Sequence, residues 1–264
     1  MLKTGIIGYG VVGKAMKSLF TDSLIYDIDP KLNKDKNVKI EKDIKKLDVC
    51  DAVFICVPTN QKKDGSCDTS IVEEIIAESN AKLFIIRSTV EIGFTKKMVE
   101  KYKKLIVFQP EYYGETIAHP FTKLSDRNWI TLGGGEKARN LAIKIYQKVI
   151  NSNVKIYQCS SDEAELAKYM ENAFLATKVT FCNEMYEIAK KLNINYNIAR
   201  ELWIADPRIG SSHTFVYEEN RGYGGKCLPK DIASLQHQFK INNIDSTLIS
   251  AVIKKNKKFT KNNK

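Results

Sequence analysis

The sequence predicts an α/β chain: a doubly wound, mostly parallel sheet over residues 1–159, an all-helical region over 160–253 entered through a long connecting helix, and a lysine-rich tail over 254–264. Three observations carry that prediction. Short apolar or β-branched runs alternate with longer helical patterns through the first 158 residues, as βα units around a parallel sheet require. A glycine-rich turn comes directly after the first of these runs. From Ser160 onward the strand runs stop and apolar residues recur at helical spacing.

Taken in order, the strand candidates lie at residues 3–7, 23–26, 52–57, 83–88, 105–108, 129–132 and 154–158. Between them, 70–79 and 136–150 have helical spacing. Ser160 and Glu163 can form a capping box, and the run after them reaches about Leu192 without an internal Gly or Pro. Such a helix would be on the order of 50 Å long, a length that joins domains or packs against a partner. A loop over 205–225, holding Pro207, Gly210, Gly222, Gly224 and Gly225, interrupts the helical region. The tail, KKNKKFTKNNK, is expected to be a solvated, disordered end.

Composition narrows the class. A length of 264 residues, 43% of them hydrophobic, suits a soluble protein of one large or two modest domains. The six cysteines form no CxxC pair and no histidine stands at ligand spacing, so neither a metal site nor a disulfide framework is expected. A reducing cytoplasm fits best. The N-terminus runs straight into a strand-turn-helix pattern and no apolar run could span a bilayer, so no membrane partner is expected. The formal charge of +11 raises the question of nucleic acid. The basic tail has one aromatic and no arginine for stacking or base readout, so nucleic acid is not expected either.

Gly8-Tyr9-Gly10-Val11-Val12-Gly13 matches GxGxxG between a strand and a helix, the context of a Rossmann-type dinucleotide site. Gly8 permits the tight turn, Gly10 lets a pyrophosphate approach the backbone, and Gly13 lets the helix pack on the strand. The helix start at Val11 and Val12 then offers amide donors to phosphate. Asp27 ends the second strand about 20 residues after the first glycine, where a carboxylate accepts from ribose hydroxyls and repels the extra phosphate of NADP. The expected cofactor is NAD. Asp29 either shares that role or begins the turn at Pro30.

Gly222-Tyr223-Gly224-Gly225-Lys226-Cys227-Leu228-Pro229-Lys230-Asp231 sets a thiol on a glycine-rich loop, with two lysines nearby and an acid four residues later. That environment suits a reactive nucleophile, although a lone cysteine after glycines is more often structural. Lys168 and Asn172 stand at i, i+4 on the long helix, hence on one face; read by themselves they are a solvated polar stripe or a pair at a reacting centre.

The cysteine stretch closely resembles the GFGGxCxPKD signature of the UDP-glucose and GDP-mannose dehydrogenase family, and other segments agree in order. Val53-Phe54-Ile55-Cys56-Val57-Pro58-Thr59 looks like the family's strand-to-loop segment beside the cofactor, and Asp64-Gly65-Ser66 with Asp68 and Ser70 is similar to the family's next stretch. Ser88-Thr89-Val90 resembles the STV element, and Pro110-Glu111 with Glu115 resembles PEFxxE. The resemblance covers about residues 1–250.

It implies a two-step, NAD-dependent oxidation of a nucleotide-sugar C6 alcohol, UDP-glucose foremost, to the uronic acid through a thioester on Cys227. Lys168 and Asp231 would serve the alcohol's deprotonation, Asn172 would hold an oxyanion, Thr89 would order a water, and Glu111 would be the base for hydrolysis. Val57, Pro58, Thr59, Thr89, Glu115 and Lys230 would face the cofactor. Glu111, Lys168, Asn172, Tyr223 and Gly224 would face the substrate. Arg208 resembles the arginine that reaches a neighbouring subunit's site, which implies a homodimer through the long helix. Glu111 and Glu115 also fit a helix start after Pro110, a role that needs no catalysis. Family members continue with a third domain that binds the nucleotide half of the substrate, whereas this sequence ends at Lys264. Two other readings stay open: a single-step hydroxy-acid dehydrogenase using Lys168 and Asn172 with Cys227 idle, and a catalytically silent NAD-binding or assembly subunit.

Overall fold

The computed structural model describes residues 2–29, 31–32, 38–112 and 127–261. By internal packing they fall into two units, Met1–Asn60 with Cys67–Lys168, and Gln61–Ser66 with Tyr169–Lys264.

In the first unit every expected strand forms: β1 (Thr4–Ile7), β2 (Leu24–Tyr26), β4 (Ala52–Ile55), β5 (Phe84–Ile86), β6 (Ile106–Phe108), β7 (Trp129–Gly134) and β8 (Lys155–Cys159). One further strand, β3 (Ile40–Glu41), was not expected from the sequence, because two residues are too short for any period to register. The helices of this unit are α1 (Val11–Leu19), α2 (Ser70–Glu78), α3 (Phe94–Tyr102) and α4 (Glu136–Tyr146). Helix α4 stops four residues before its expected end, its last turn capped by Gln147 N donating to Ile143 O.

The strands form one sheet in the order β3-β2-β1-β4-β5-β6-β7-β8, parallel except where β7 runs against β6. Strands β1 and β4 are buried along their whole lengths, which is why they read as unbroken apolar runs. Alternate residues feed the two faces. Ile6, Phe54, Ile85 and Val107 pack with Met16 of α1 and Tyr146 of α4, and Ile7, Ile55 and Ile86 pack with Ile76 of α2 and Met98 of α3. The Phe54 ring lies 4.8 Å from Phe20 and 6.0 Å from Tyr146. Consecutive crossovers wind away from β1 in opposite directions, so the strand order reverses between β1 and β4 and their C-terminal loops diverge.

The long helix, α5 (Ser161–Lys191), begins with the expected capping box: Ser160 N donates to Glu163 Oε2 at 2.7 Å and Glu163 N donates to Ser160 Oγ at 3.3 Å. By internal packing the first turns of α5, up to Lys168, go with the first unit. The reason is local: Ala164 joins the first unit's core, and buried Glu165 accepts from Gly93 N at 2.7 Å and Thr95 N at 2.9 Å, capping the start of α3.

The second unit continues α5 and adds α6 (Tyr196–Ile204), α7 (Leu228–Ile241) and α8 (Thr247–Thr260). The expectation of a disordered tail over 254–264 is corrected for residues 254–260, which form the last turns of α8. Val252, Asn256 and Phe259 are buried at i, i+4 and i+7, an amphipathic period that the surrounding lysines conceal in the sequence. The loop over 205–225 is tied down by Tyr196 Oη donating to Thr214 O at 2.9 Å, Arg200 Nε to Thr214 Oγ1 at 2.7 Å, and Lys178 Nζ to Gly210 O at 2.7 Å.

Candidate functional site

The described residues of the first unit that the sequence offered for a cofactor sit at the C-terminal ends of β1, β2, β4 and β5, where open α/β sheets take their ligands. Gly8 adopts φ +90°, and a Cβ there would meet Cys56 O at 2.7 Å. A Cβ on Gly13 would fall 2.0 Å from Gly8 O, so only glycine lets α1 pack so closely on the turn. Gly10 differs: nothing lies within 4 Å of its Cβ position, and it precedes a helix whose first amides carry no side-chain cap. An open backbone at an uncapped helix start, beginning at Val11 and Val12, fits a pyrophosphate. Asp27 closes the same turn, accepting from Tyr9 N at 2.6 Å and Asp29 N at 2.8 Å. Asp29 thereby supports Asp27 through its backbone.

The loops after β4 and β5 are fastened together. Thr59 Oγ1 donates to Thr89 O at 2.7 Å and Ser88 Oγ donates to Val57 O at 2.6 Å, leaving Pro58 exposed between them. Glu111, just past β6, is held by two buried arginines that the sequence did not single out. Arg87 donates to its Oε2, and Arg127 Nη2 lies 3.4 Å from its Oε1. Such a carboxylate is fixed in orientation by its charge-assisted pairs. The Arg127 guanidinium also lies 5.6 Å from the Tyr112 ring and 5.5 Å from that of Trp129. Lys168 Nζ, buried, stands 4.9 Å from the Tyr112 ring centroid. An arginine directly after the buried strand run Phe84–Ile86 was the available signal, since a buried guanidinium implies a carboxylate partner. Glu115 lies outside the described residues.

In the second unit Cys227 is exposed and immediately precedes α7. Asp231, one turn on, is buried; its Oδ2 accepts from Asn172 Nδ2 at 2.5 Å and its Oδ1 lies 2.8 Å from Lys230 Nζ. Lys230, expected to face the cofactor, also pairs with Asp231 within its own unit. Cys227 stands at a helix N-terminus, an end whose dipole favours negative charge developing on a thiol. Four of the other thiols are raised by burial: Cys56 up to about 12, Cys50 up to about 11, and Cys159 and Cys182 upward as well. Gly224 is exposed near Cys227, but the Tyr223 ring is buried against Ala176, Ile232 and Val252, and its hydroxyl is pushed up to about 12 by burial. The Arg208 side chain is exposed and held by Asp206, with Nε 3.0 Å from Oδ1. Among the described residues no group of three or more His, Cys, Asp or Glu could hold a metal ion.

Comparison with known proteins bears on both units. Residues 27–151 match the NAD binding domain, and residues 162–258 the central domain, of the UDP-glucose/GDP-mannose dehydrogenase family. The UDP-glucose 6-dehydrogenase of Campylobacter jejuni is 32% identical over 97% of this chain and 72% of its own length. That of Rickettsia bellii is 33% identical over 78% of this chain and 49% of its own length. This chain therefore spans about half the length of several curated relatives it matches. A solved UDP-glucose dehydrogenase from the archaeon Pyrobaculum islandicum superposes with a TM-score of 0.83 at 24% identity, covering 98% of this chain and 68% of that one, a likeness of fold.

Proposed function

Because the chain belongs to the UDP-glucose/GDP-mannose dehydrogenase family and its cofactor is NAD, we propose that it oxidises the C6 alcohol of a nucleotide sugar, UDP-glucose foremost, to the carboxylate through a thioester on Cys227. The observation that carries this reading is the exposed thiol at the start of α7, one turn ahead of a buried Asp231 that Asn172 and Lys230 hold in place. Two molecules of NAD, bound in turn, would each accept one of the two hydrides that the overall oxidation releases.

The residues of the chain supply the rest. Asp231, directly or through a water, takes the alcohol proton, and the Lys168 ammonium stabilises the alkoxide that develops. The Cys227 sulfur adds to the resulting aldehyde, forming a C–S bond and a thiohemiacetal. Loss of the second hydride and a proton leaves the thioester, with Asn172 donating to the oxyanion. Glu111, oriented by Arg87 and Arg127, activates the water that cleaves the C–S bond and returns the thiol. Thr89 orders that water.

A second copy of the chain is part of the proposal. Met170, Phe174, Phe181, Met185 and Ile188 of α5, with Leu192 just past its end, are exposed at steps of three, four or seven residues, an apolar row on one side of the helix. Covering it with the same stripe of a second copy makes a two-fold interface, to which Arg208 would contribute. No described helix is long and apolar enough to cross a membrane. The cytoplasm is the proposed compartment, since a reducing environment keeps the Cys227 thiol reduced.

The test is to supply NAD and a panel of nucleotide sugars to the purified protein and count NADH per sugar consumed. Two supports the thioester route. One means that Cys227 is idle and the reaction stops after a single oxidation. None with any sugar, in a protein that still binds NAD, means a silent binding subunit.

A further inference from the structure

The segment that delivers Cys227 has no helix or strand of its own, yet two buried asparagines grip it. Asn256 of α8 treats Tyr223 as a strand neighbour would: Tyr223 N donates to Asn256 Oδ1 at 2.7 Å, and Asn256 Nδ2 donates to Tyr223 O at 2.9 Å. Asn183 of α5 holds the two residues before it. Its Oδ1 accepts from Gly222 N at 3.2 Å and Arg221 Nε at 2.5 Å, and its backbone O accepts from Arg221 Nη2 at 2.8 Å. Asn183 is itself fixed by donating from Nδ2 to Val179 O at 2.9 Å. The Arg221 guanidinium lies 4.7 Å from the Tyr186 ring and 5.0 Å from the Phe259 ring. The fit is tight: Gly222 adopts φ +81°, and a Cβ there would stand 2.4 Å from Asn256 Oδ1.

Past Tyr223 the constraint ends abruptly. Neither Gly224 nor Gly225 has any atom within 4 Å of its Cβ position, and both are exposed, as is Cys227. The thiol therefore sits between two fixed points, the Arg221–Tyr223 grip on one side and the first turn of α7 on the other. Those two points set where its sulfur stands. An amide is the right group for the Tyr223 contact because one side chain must both accept and donate, which neither a carboxylate nor an amine does.

We propose that Asn256 is a positioning residue for the Cys227 nucleophile, holding the Tyr223 backbone so that the glycine pair after it presents the sulfur in one place. This rests on Cys227 acting as the nucleophile. Asn256 then serves capture of the aldehyde and the second oxidation, and leaves the first hydride transfer alone.

The decisive variant is Asn256→Asp, which keeps the shape and removes the proton that faces Tyr223 O. Protonating that carboxyl restores a donor and an acceptor in the same positions, so the lesion is reversible with pH. In the full-length protein two readings are taken, each as a ratio to wild type at about pH 8 and about pH 5.5: NADH formed per sugar, with released aldehyde trapped by an amine, and the rate of Cys227 alkylation by iodoacetamide, followed by mass spectrometry. The proposal expects NADH per sugar to fall from two toward one with aldehyde appearing, alkylation to change by roughly fivefold or more, and both to recover at the lower pH. A role in stability alone predicts that all rates fall together while the ratio stays at two, and that result overturns the proposal. So does unchanged alkylation in a folded variant. If Asn256→Asp does not fold, Asn256→Ser is read the same way, without the pH recovery. Should the wild type itself not use Cys227, the alkylation reading still decides whether Asn256 positions the thiol.

Discussion

Asn172 and Asp231 meet through a buried 2.5 Å hydrogen bond that joins α5 to the first turn of α7. Asn172→Ala leaves a buried carboxylate oxygen short of a donor, and the second unit should lose about 1–3 kcal/mol. Urea unfolding followed by a probe in that unit measures the loss. Asn172→Asp should do worse near neutral pH, because it faces Asp231 with a second carboxylate, and should recover in acid. Equal stability of the two variants at neutral pH would count against the bond as drawn.

The glycine turn separates two roles that a sequence motif runs together. Gly13→Ala places a Cβ 2.0 Å from a backbone oxygen, so the expected outcome is a protein with a lower melting temperature and no measurable NAD binding. Gly10→Ala meets open space at φ −76°, so it should fold normally yet bind NAD at least about tenfold more weakly, because the added methyl stands where the pyrophosphate approaches. Calorimetric titration beside a melting curve distinguishes the two.

Cys227→Ser removes the only exposed thiol of the six. The variant should still reduce one equivalent of NAD per sugar and then stall, with aldehyde detectable by trapping. Unchanged turnover to the acid would refute the thioester route.

Glu165 carries a pH dependence. Burial raises its carboxyl from 4.5 to about 7, so the folded protein holds a proton that the unfolded chain releases between those values. Stability from this group is therefore present in acid, declines as pH rises from about 4.5, and is gone above about 7. Glu165→Gln cannot titrate. The stability of wild type relative to this variant should fall by roughly 3 kcal/mol across that window, read by denaturant unfolding at several pH values. A constant difference would show that the carboxyl titrates normally in the fold.

The α5 stripe makes a prediction about assembly. Phe174→Glu places a charge in the middle of the exposed apolar row and should convert a dimer into monomers in sedimentation equilibrium at micromolar protein. A wild-type protein that is already monomeric at that concentration would remove the interface from the proposal.

Much of the fold was legible in the sequence because its signals are local. Gly8, Gly10 and Gly13 between a strand and a helix, the Ser160–Glu163 capping box, and the apolar runs of β1 and β4 each depend only on neighbours in the chain. The end of α8 was not legible: Val252, Asn256 and Phe259 are spaced for a helix, but lysines on the other face outweigh them in composition. The Glu111 clamp was missed for a different reason, since Arg87, Glu111 and Arg127 come from three separate segments and pair only once β5, β6 and β7 lie side by side.

The sequence alone determined the sheet-forming units, the dinucleotide turn, the acid at Asp27, the long capped helix and the identity of the thiol to watch. Only the tertiary structure decided that Lys230 pairs with Asp231, that Tyr223 is buried in the second unit, that Glu165 caps another helix, and that two asparagines hold the Arg221–Tyr223 segment ahead of Cys227. The first group is written in spacing along the chain, where backbone geometry fixes the period. The second depends on which buried polar groups come within hydrogen-bond distance, and that distance exists only after the chain has folded.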